Sequence, residues 1–345
     1  MSTIRQRRSS CVSEPLFRRL ALIGVGLIGS SIARIAQERG ELAAEVVVIA
    51  RSPKTLDRVR ELGFADRIEL DAARAVTCAD CVMLCTPVGA FAEIAAGIAP
   101  HLQPGAVLTD VGSTKQSAIR DVGPLVPPGV HFVPAHPVAG TECSGPDAGL
   151  TSLFEGRWAL LTPPLGTNER AVAKVEEFWR RCGATIQRMD AAHHDRVMAI
   201  VSHLPHLIAF TICGTANDLA AESCQEVLRF AASGFRDFTR IAASDPVMWR
   251  DIFLNNREAL LETLARFVED AQAMSRAVRQ GDATYIEDHV ERGREIRRGL
   301  VELNWAAQCN SMGNGRPCSS DGWSRSAAPS RPGTADVLPA GRPDP

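Results

Sequence analysis

The chain has 345 residues, 45% of them hydrophobic, and a formal net charge of −2, so it is long enough to bury a sizeable core in two domains. The near-neutral charge and the low aromatic content of 5% exclude a typical nucleic-acid-binding surface, which is basic and offers stacking side chains. Residues 1–17 lack the apolar centre of a secretory signal, and no apolar run reaches the roughly 18 residues that a membrane span needs. We therefore expect a cytoplasmic protein, without membrane or nucleic-acid partners, that acts on a small molecule.

Residues 18–190 alternate between strand-like and helix-like segments, after an N-terminal segment 1–17 that we expect to be flexible. This alternation predicts an α/β Rossmann-type domain with a doubly wound parallel sheet. Helices are predicted at Ser30–Arg39, Ala90–Ile98 and Val172–Arg181. The strands are predicted at Leu20–Val25, Glu45–Ala50, Cys81–Cys85, Ala106–Thr109, His131–Val133, Trp158–Thr162 and Ala184–Met189.

A glycine-rich segment lies between the first predicted strand and the first helix, and it consists of Gly24, Val25, Gly26, Leu27, Ile28 and Gly29. Gly24 would permit a tight turn, Gly26 would let a pyrophosphate approach the backbone, and Gly29 would let the helix pack closely on the strand. The helix N-terminus would add N–H donors and a positive dipole. The segment therefore predicts a dinucleotide site, with a purely structural glycine turn as the alternative.

The residues that follow two of the strands bear on the choice of cofactor. Many NAD-binding sheets end their second strand with an acidic residue for the ribose hydroxyls, but here Arg51 and Ser52 occupy this place. Arg51 would pair with a 2′-phosphate and Ser52 would hydrogen-bond to it, which favours NADP over NAD; alternatively, Arg51 stacks on the adenine or is solvated. Thr86 and Pro87 would face the nicotinamide, unless they form an ordinary strand-ending turn.

Two polar residues follow later strands of the predicted sheet. Ser113 comes shortly after the strand that ends at Thr109, which would bring it to the carboxyl edge of a parallel sheet. His136 is flanked by Pro134 and Pro137, and prolines are disfavoured in helices and central strands. We therefore expect His136 on a loop at the end of an element, where catalytic groups are commonly held.

Residues 191–303 have apolar side chains at helical spacing and no strand alternation, which predicts an all-helical second domain. Its first helix, within Asp195–Leu219, is apolar around much of its surface, and one small domain cannot cover such a helix alone. We therefore expect a homodimer formed through this helical dimerisation domain. Residues 304–345 lack periodicity and predict a disordered tail.

Five motifs follow one another along the chain: the glycine-rich segment, Asp110-Val-Gly-Ser-Thr-Lys115, His136-Pro-Val-Ala-Gly-Thr-Glu142, Ser202-His-Leu-Pro-His206 and Thr239-Arg-Ile-Ala242. In this combination, which spans roughly residues 20–303, the chain resembles the prephenate/arogenate (cyclohexadienyl) dehydrogenases. The resemblance implies a Rossmann domain with a helical dimerisation domain. It also implies the NAD- or NADP-dependent oxidative decarboxylation of prephenate to 4-hydroxyphenylpyruvate, or of arogenate to tyrosine, in tyrosine biosynthesis.

The same resemblance assigns two catalytic residues. His136 matches the catalytic histidine of the family, and Ser113 matches a serine expected to hydrogen-bond that histidine or the substrate hydroxyl. A neutral imidazole suits this reaction, because removal of hydride from the ring carbon is easier when a base withdraws the hydroxyl proton. The alternative role for His136 is to stabilise a turn.

Three further residues are expected at the substrate. Arg240 matches the substrate-binding arginine of the family, and a guanidinium can hold a carboxylate through two hydrogen bonds. Its alternative is a salt bridge with Asp237 or Asp245. Trp249 is expected either to shape the same pocket or to pack in the core, and Thr141 is expected to contact the substrate.

His206 lies eleven residues after Asp195, close to three helical turns, so the two side chains could share a helical face and form an ion pair. By resemblance, His206 contributes to substrate recognition; a buried structural histidine is the alternative. We expect no metal site, because the histidines 193, 194, 203 and 206 lack a completing ligand set. The cysteines at 78, 81 and 85 fit a buried strand better than a cluster of metal ligands.

Two other functions stay open. Another β-hydroxyacid or imine dehydrogenase on the same two-domain plan would oxidise a hydroxy acid that cannot become aromatic. A non-catalytic dinucleotide sensor would bind the cofactor without turnover. Prephenate and arogenate are not distinguished either, since no acidic residue can be placed against the arogenate amine.

Overall fold

The computed structural model describes residues 14–141, 143–223 and 232–311, and the side chains of 220–223 and 303–311 are not considered. Most of the predicted flexible N-terminus and of the predicted disordered tail lies outside these ranges. The first strand begins at Phe17, whose side chain is buried, so the ordered domain includes this last residue of the segment expected to be flexible. Phe17 is held because its ring packs against Phe178.

Nine strands are described: β1 Phe17–Ile23, β2 Ala43–Ile49, β3 Arg67–Glu69, β4 Cys81–Leu84, β5 Val107–Asp110, β6 His131–Val133, β7 Ala135–Pro137, β8 Trp158–Leu161 and β9 Thr185–Arg188. The first six form a fully parallel sheet in the order β3-β2-β1-β4-β5-β6. This is the strand order of a Rossmann fold, which confirms the predicted fold class.

The helices begin and end as follows: α1 Leu27–Arg39, α2 Pro53–Leu62, α3 Ala72–Val76, α4 Phe91–Ile98, α5 Lys115–Val122, α6 Glu169–Arg181, α7 Ala191–Met198, α8 Leu204–Ser223, α9 Ser233–Thr239, α10 Pro246–Asn255, α11 Arg257–Gln280 and α12 Ala283–Ser311. A π-helical turn, Ala199–His203, joins α7 to α8, and a short 3₁₀ turn, Arg240–Ala243, follows α9.

Two apolar cores flank the parallel sheet. One contains Phe178 and Trp179 of α6, and the other contains Phe91 of α4 with Phe132 of β6. The strands are covered on both faces, which explains why their sequences are continuous apolar runs rather than alternating ones. Strand β3 was not predicted from the sequence because it has only three residues and two of them are charged.

The remaining strands form a second, three-stranded sheet in the order β7-β8-β9. Strand β8 pairs antiparallel with β7 and parallel with β9, so the expectation that Trp158–Thr162 continues the parallel sheet is wrong. His136 lies inside β7 rather than on a loop, which corrects a second expectation. The flanking prolines are tolerated because β7 is an edge strand. One side of β7 has no partner strand, so a missing N–H on that side removes no hydrogen bond between strands.

Among the described residues, those up to Asp282 form one compact unit and those from Ala283 on form a second. The expected domain boundary at residue 190 stays a prediction. Buried side-chain bonds cross that position: Asp195 of α7 accepts hydrogen bonds from the backbone of α5, and His194 bonds to His136. Helix α12 runs to Ser311, so residues 304–311 are helical rather than disordered; alanine and glutamine in this segment favour a helix.

The helical stretch Ala191–Leu219 is long and apolar enough to cross a membrane by length and composition, with a mean hydropathy of 1.7 in its most apolar window. The sequence analysis considered only uninterrupted apolar runs, so it did not single out this helix. Scattered polar residues interrupt the apolar run in this helix, but they lower its mean hydropathy only a little. Only 28% of that window is buried in the single chain.

Candidate active site

The glycine-rich segment forms the turn between β1 and α1. Gly24 has a φ of +106°, and a Cβ there would lie 2.7 Å from the carbonyl oxygen of Cys85, so only glycine fits. A Cβ on Gly29 would lie 2.2 Å from the carbonyl oxygen of Gly24, which shows how closely the helix approaches the strand. A Cβ on Gly26 would meet nothing within 4 Å. The backbone at Gly26 is thus open to a ligand beside the N-terminus of α1, as a pyrophosphate site requires.

Thr86 lies directly beside this turn, with its Cγ2 atom 3.0 Å from the position of a Cβ on Gly24. The Oγ1 atom of Thr86 is buried and has no hydrogen-bond partner among the residues that the structure describes, so it is available to a bound molecule. Pro87 is exposed. Together with the open backbone at Gly26, these features fit a nucleotide whose nicotinamide end points toward Thr86.

Arg51 and Ser52 follow β2, the strand next to β1. The Arg51 side chain is exposed, and Ser52 caps α2 by accepting a hydrogen bond from the backbone of Thr55 at 3.4 Å. The Ser52 hydroxyl hydrogen is still free to be donated to a phosphate. Both residues are therefore accessible for a 2′-phosphate, in line with the interpretation that favours NADP.

His136 lies at the same edge of the parallel sheet as the glycine turn. Gly24 follows β1, Thr86 follows β4 and Ser113 follows β5, and His136 comes shortly after the end of β6. The carboxyl ends of parallel strands meet at one edge, where ligands bind in such folds. His136 is only 8% exposed.

The electrostatic surroundings of His136 favour its neutral form. Burial lowers the pKa of His136 well below its usual value, and the neighbouring His194, Lys115 and His203 act in the same direction. A buried imidazole that stays neutral has a lone pair to accept a proton. His136 therefore has the protonation state that a general base needs near neutral pH.

A chain of hydrogen bonds leads away from His136. Its Nδ1 atom lies 2.9 Å from Nε2 of His194, and Nδ1 of His194 lies 2.8 Å from Oδ1 of Asp195. The two residues from α7 are 0% and 1% exposed. Although burial acts to raise it, hydrogen bonds from His194 and from the backbone of Lys115 and Gln116 hold the pKa of Asp195 below its usual value.

Ser113 is half-buried between β5 and α5. No side-chain hydrogen bond from Ser113 to His136 is present among the described residues, and the Nδ1 atom of the imidazole bonds to His194. Ser113 does lie two residues before Lys115, whose backbone N–H donates to Asp195 at 2.8 Å. The segment that carries Ser113 and the hydrogen-bond chain from His136 thus both bond to the Asp195 carboxylate.

A fully buried ion pair supports the same region. The Lys115 ammonium donates to Oδ1 of Asp110 and, at 2.7 Å, to the carbonyl oxygen of Ala135. Ala135 directly precedes His136, so this pair fixes the backbone of β7 against the end of β5. Burial raises the pKa of Asp110 and lowers that of Lys115, since water solvates neither charge.

His203 at the end of the π-helical turn is fully buried. The Nδ2 atom of Asn256 donates to the carbonyl oxygen of Asp195 at 2.8 Å and to Nδ1 of His203 at 3.0 Å. The carbonyl oxygen of Asp195 can only accept, so the NH₂ group of Asn256 must face it. The same NH₂ group faces His203, so Nδ1 of His203 must accept as well. Burial lowers the pKa of His203 to about 4, so the ring is neutral and carries its hydrogen on Nε2.

His206, Trp249 and Arg240 lie near one another. The His206 ring stacks on Trp249 with 3.7 Å between centroids, and its Nδ1 donates to the carbonyl oxygen of Ser202 at 2.9 Å. Burial lowers the pKa of His206, and the charge of Arg240 lowers it further. Arg240 itself is exposed. Three of the four residues expected to bind substrate are therefore neighbours. Trp249 is also buried among aromatic rings, as the core-packing alternative proposes.

Comparisons with known proteins match both halves of the chain. The family model described as "Prephenate dehydrogenase, nucleotide-binding domain" matches residues 32–188, and the one described as "Prephenate dehydrogenase, dimerization domain" matches residues 190–292. The cyclohexadienyl dehydrogenase of Zymomonas mobilis is 39% identical over 83% of this chain and 97% of its own length. The chain belongs to the prephenate dehydrogenase family.

Two solved structures agree with the fold. The prephenate dehydrogenase of A. aeolicus, in complex with hydroxyphenyl propionate and NAD+, has a TM-score of 0.74 and 31% identity, and the match covers 85% of this chain and all (100%) of that one. The arogenate dehydrogenase of Synechocystis has a TM-score of 0.68 and 25% identity, with 82% of this chain and 99% of that one covered. The first of these structures supports an NAD(P) cofactor.

One expectation about this family member, the ion pair between His206 and Asp195, differs from the structure. His206 does not pair with Asp195, because that carboxylate accepts hydrogen bonds from His194 and from the backbone of α5. The π-helical turn between them shifts the helical register, so an eleven-residue spacing no longer places both on one face. Thr141 lies on an exposed loop after β7, where its hydroxyl accepts from the backbone of Cys143 at 3.3 Å.

The sequence interpretation missed His194 as part of the prephenate dehydrogenase site. It considered this residue only as a metal ligand, and the described residues contain no group of three side chains placed to hold a metal. The available signal was the adjacent His194-Asp195 pair at the start of a helix. An aspartate beside a histidine can accept the imidazole hydrogen, but its link to His136 spans 58 residues and is not visible locally.

Proposed function

We propose that the protein oxidatively decarboxylates prephenate to 4-hydroxyphenylpyruvate, or arogenate to tyrosine, with NAD or NADP, in tyrosine biosynthesis. The observation that carries this proposal is the buried, neutral His136 at the sheet edge that holds the glycine turn. The family membership supports prephenate as substrate, and the likeness to the Synechocystis enzyme supports arogenate.

His136 would accept the proton of the ring hydroxyl through its lone pair. Deprotonation pushes electron density toward the carbon that loses hydride, so it lowers the barrier of the oxidation step. Ser113 would donate a hydrogen bond that positions the substrate hydroxyl against His136. NAD or NADP, when bound along the turn at Gly24, Gly26 and Gly29, supplies the acceptor for the hydride.

The substrate carboxylates need donors. Arg240 would hold one of them, because its guanidinium offers two parallel N–H groups. His206 would orient the substrate from its place against the Trp249 ring, where it also feels the charge of Arg240. Loss of carbon dioxide and aromatisation of the ring favour the reaction, so the residues of the protein mainly bind, orient and accept the proton.

We further propose a homodimer formed through the helical region, in a soluble enzyme of the cytoplasm. The helical stretch Ala191–Leu219 exposes Ile200, Val201, Ile212 and Leu219 in the single chain. Apolar surface of this kind is normally covered by a partner. The match of residues 190–292 to a dimerisation domain supports a second copy of this chain, rather than a lipid bilayer, as the cover.

The test is a steady-state assay of NADH and NADPH formation, with prephenate and with arogenate as separate substrates. We expect oxidation of at least one of them. Absence of oxidation with both, but turnover of a β-hydroxy acid that cannot aromatise, would assign a different dehydrogenase. Cofactor binding without any turnover would instead identify a dinucleotide sensor.

A further inference from the structure

We propose that His194 and Asp195 are positioning residues that hold His136 as the tautomer with hydrogen on Nδ1 and a lone pair on Nε2. We also propose that the Asp195 carboxylate aligns this histidine with the segment that carries Ser113. The inference rests on the proposed role of His136 as base, and it names the residues that prepare that base.

The Asp195 carboxylate, at the end of the hydrogen-bond chain from His136, determines which atom donates in each bond of that chain. The Asp195 carboxylate accepts two backbone N–H groups, so it is ionised and offers only acceptors to His194. Nδ1 of His194 must then donate to it, at 2.8 Å. Burial lowers the pKa of His194, so its ring is neutral and Nε2 bears a lone pair.

That lone pair fixes the tautomer of His136. Nε2 of His194 accepts, so Nδ1 of His136, at 2.9 Å, must donate its hydrogen. The lone pair of the neutral His136 ring then lies on Nε2, on the side away from His194. Without this partner the hydrogen could move to Nε2, and the imidazole would face the substrate hydroxyl as a donor instead of a base.

Asp195 also organises the N-terminus of α5. The residue before this helix, Thr114, gives no side-chain cap, and the Asp195 carboxylate replaces it by accepting from the backbone of Lys115 at 2.8 Å and of Gln116 at 2.9 Å. A carboxylate at a helix N-terminus is further stabilised by the helix dipole. Ser113 therefore has its position set by the same group that sets the orientation of His136.

The other charged groups around His136 do not compete for its Nδ1 hydrogen. The Lys115 ammonium donates to Asp110 and to the carbonyl oxygen of Ala135. His203 uses its Nδ1 to accept from Asn256. Among the charged and titratable neighbours that the structure describes, only His194 bonds to the His136 ring.

The experiment uses the full-length protein labelled with ¹⁵N in its histidine rings. Nitrogen chemical shifts distinguish a protonated ring nitrogen from one with a lone pair, and the signals of His136 are identified by their loss in His136→Asn. The variants are His194→Leu, which removes the acceptor, and His194→Gln, which restores an acceptor oxygen. The control is His193→Gln, because the neighbouring His193 is exposed.

We expect wild-type His136 to show a lone pair on Nε2 and hydrogen on Nδ1. His194→Leu should lower kcat by about 10²-fold, within the range of general-base contributions, with the KM for NAD(P) unchanged and with hydrogen appearing on Nε2 of His136. His194→Gln should recover part of kcat and the original tautomer, and His193→Gln should match the wild type. Asp195→Asn should repeat the loss seen with His194→Leu, because an amide cannot accept from all three donors.

Hydrogen on Nε2 of His136 in the wild type, or an unchanged kcat in both His194 variants, would overturn the inference. A loss of kcat in His194→Leu with the tautomer of His136 unchanged would also overturn it, since that result describes a merely structural role. If His194→Leu does not fold, the wild-type spectrum and His194→Gln still decide. The nitrogen shifts need no substrate, so a protein that oxidises neither prephenate nor arogenate would refute the proposed function alone.

Discussion

The buried ion pair between Lys115 and Asp110 gives a prediction for both stability and activity. In Lys115→Met the ammonium is lost, while the Asp110 carboxylate stays in a site where both side chains have an exposure of 0%. The backbone N–H of Gly112, at 2.8 Å, would still donate to Oδ1 of Asp110, and the backbone of Ala135 also acts to lower the pKa of this carboxyl. Its Oδ2 atom already has no partner among the described residues.

Removing one member of a buried pair costs about 3–5 kcal/mol of unfolding free energy, because the other charge is left uncompensated. At about 2 °C per kcal/mol for a domain of this size, Tm should fall by ~6–10 °C. We also expect a lower kcat, because Lys115 donates to the carbonyl oxygen of Ala135, directly before His136. The double variant Asp110→Asn with Lys115→Met should recover part of the stability, because no charge remains buried.

The loss of stability in Lys115→Met should depend on pH. Burial already raises the folded-state pKa of Asp110, and Lys115 is the group that counteracts this rise. Without Lys115 that pKa rises further above its unfolded value, so the buried carboxylate destabilises the fold at neutral and alkaline pH. As the pH falls through the folded pKa, Asp110 takes up a proton and the difference from the wild type shrinks.

Thermal unfolding of Lys115→Met at several pH values measures this effect, and Lys54→Met serves as the control because Lys54 is exposed. The control should unfold as the wild type does. A Tm of Lys115→Met within a degree or two of the wild type at neutral pH would refute the reasoning. A destabilisation that grows on acidification would also refute it.

Three further predictions concern the cofactor, the substrate and pH. Gly26→Ala should fold with an unchanged Tm but bind NAD(P) more weakly in a titration. Gly29→Ala should lower Tm, because its Cβ would lie 2.2 Å from a backbone oxygen. Equal effects of the two variants on Tm and on NAD(P) binding would contradict the proposed cofactor site. Arg240→Gln should raise the KM for substrate about tenfold or more with a smaller change in kcat, and an unchanged KM would leave Arg240 with a structural role only. Because the pKa of His136 is lowered, kcat/KM should stay level through neutral pH and fall only in acid; a fall near pH 6.5–7 would show a normally titrating base.

Much of the fold was predictable because its signals are local. The glycine turn needs particular residues at Gly24 and Gly29 for steric reasons, and these are visible in the sequence. Apart from β3, the parallel strands contain short apolar runs because helices cover both faces of the sheet. By contrast, nothing local distinguishes β8 as a strand of a second sheet, since pairing direction depends on which distant strand it meets.

The site was predicted in part. The motifs indicated His136 and Ser113, but the prolines around His136 suggested a loop, and only the edge position of β7 shows why a strand tolerates them. The link from His136 to His194 spans 58 residues, so no spacing rule could find it. The expected contact between Asp195 and His206 failed because a π-helical turn changes the register between them.

The most direct test of His136 as the catalytic base is to compare wild-type protein and His136→Asn, with saturating NAD(P), in the oxidation of prephenate or arogenate. We predict that the wild type oxidises at least one substrate and that kcat of the variant falls by about 10²–10⁴-fold, while the cofactor affinity stays the same. Asparagine cannot take up the hydroxyl proton at neutral pH. A variant that retains wild-type turnover would contradict the assignment of His136 as the base.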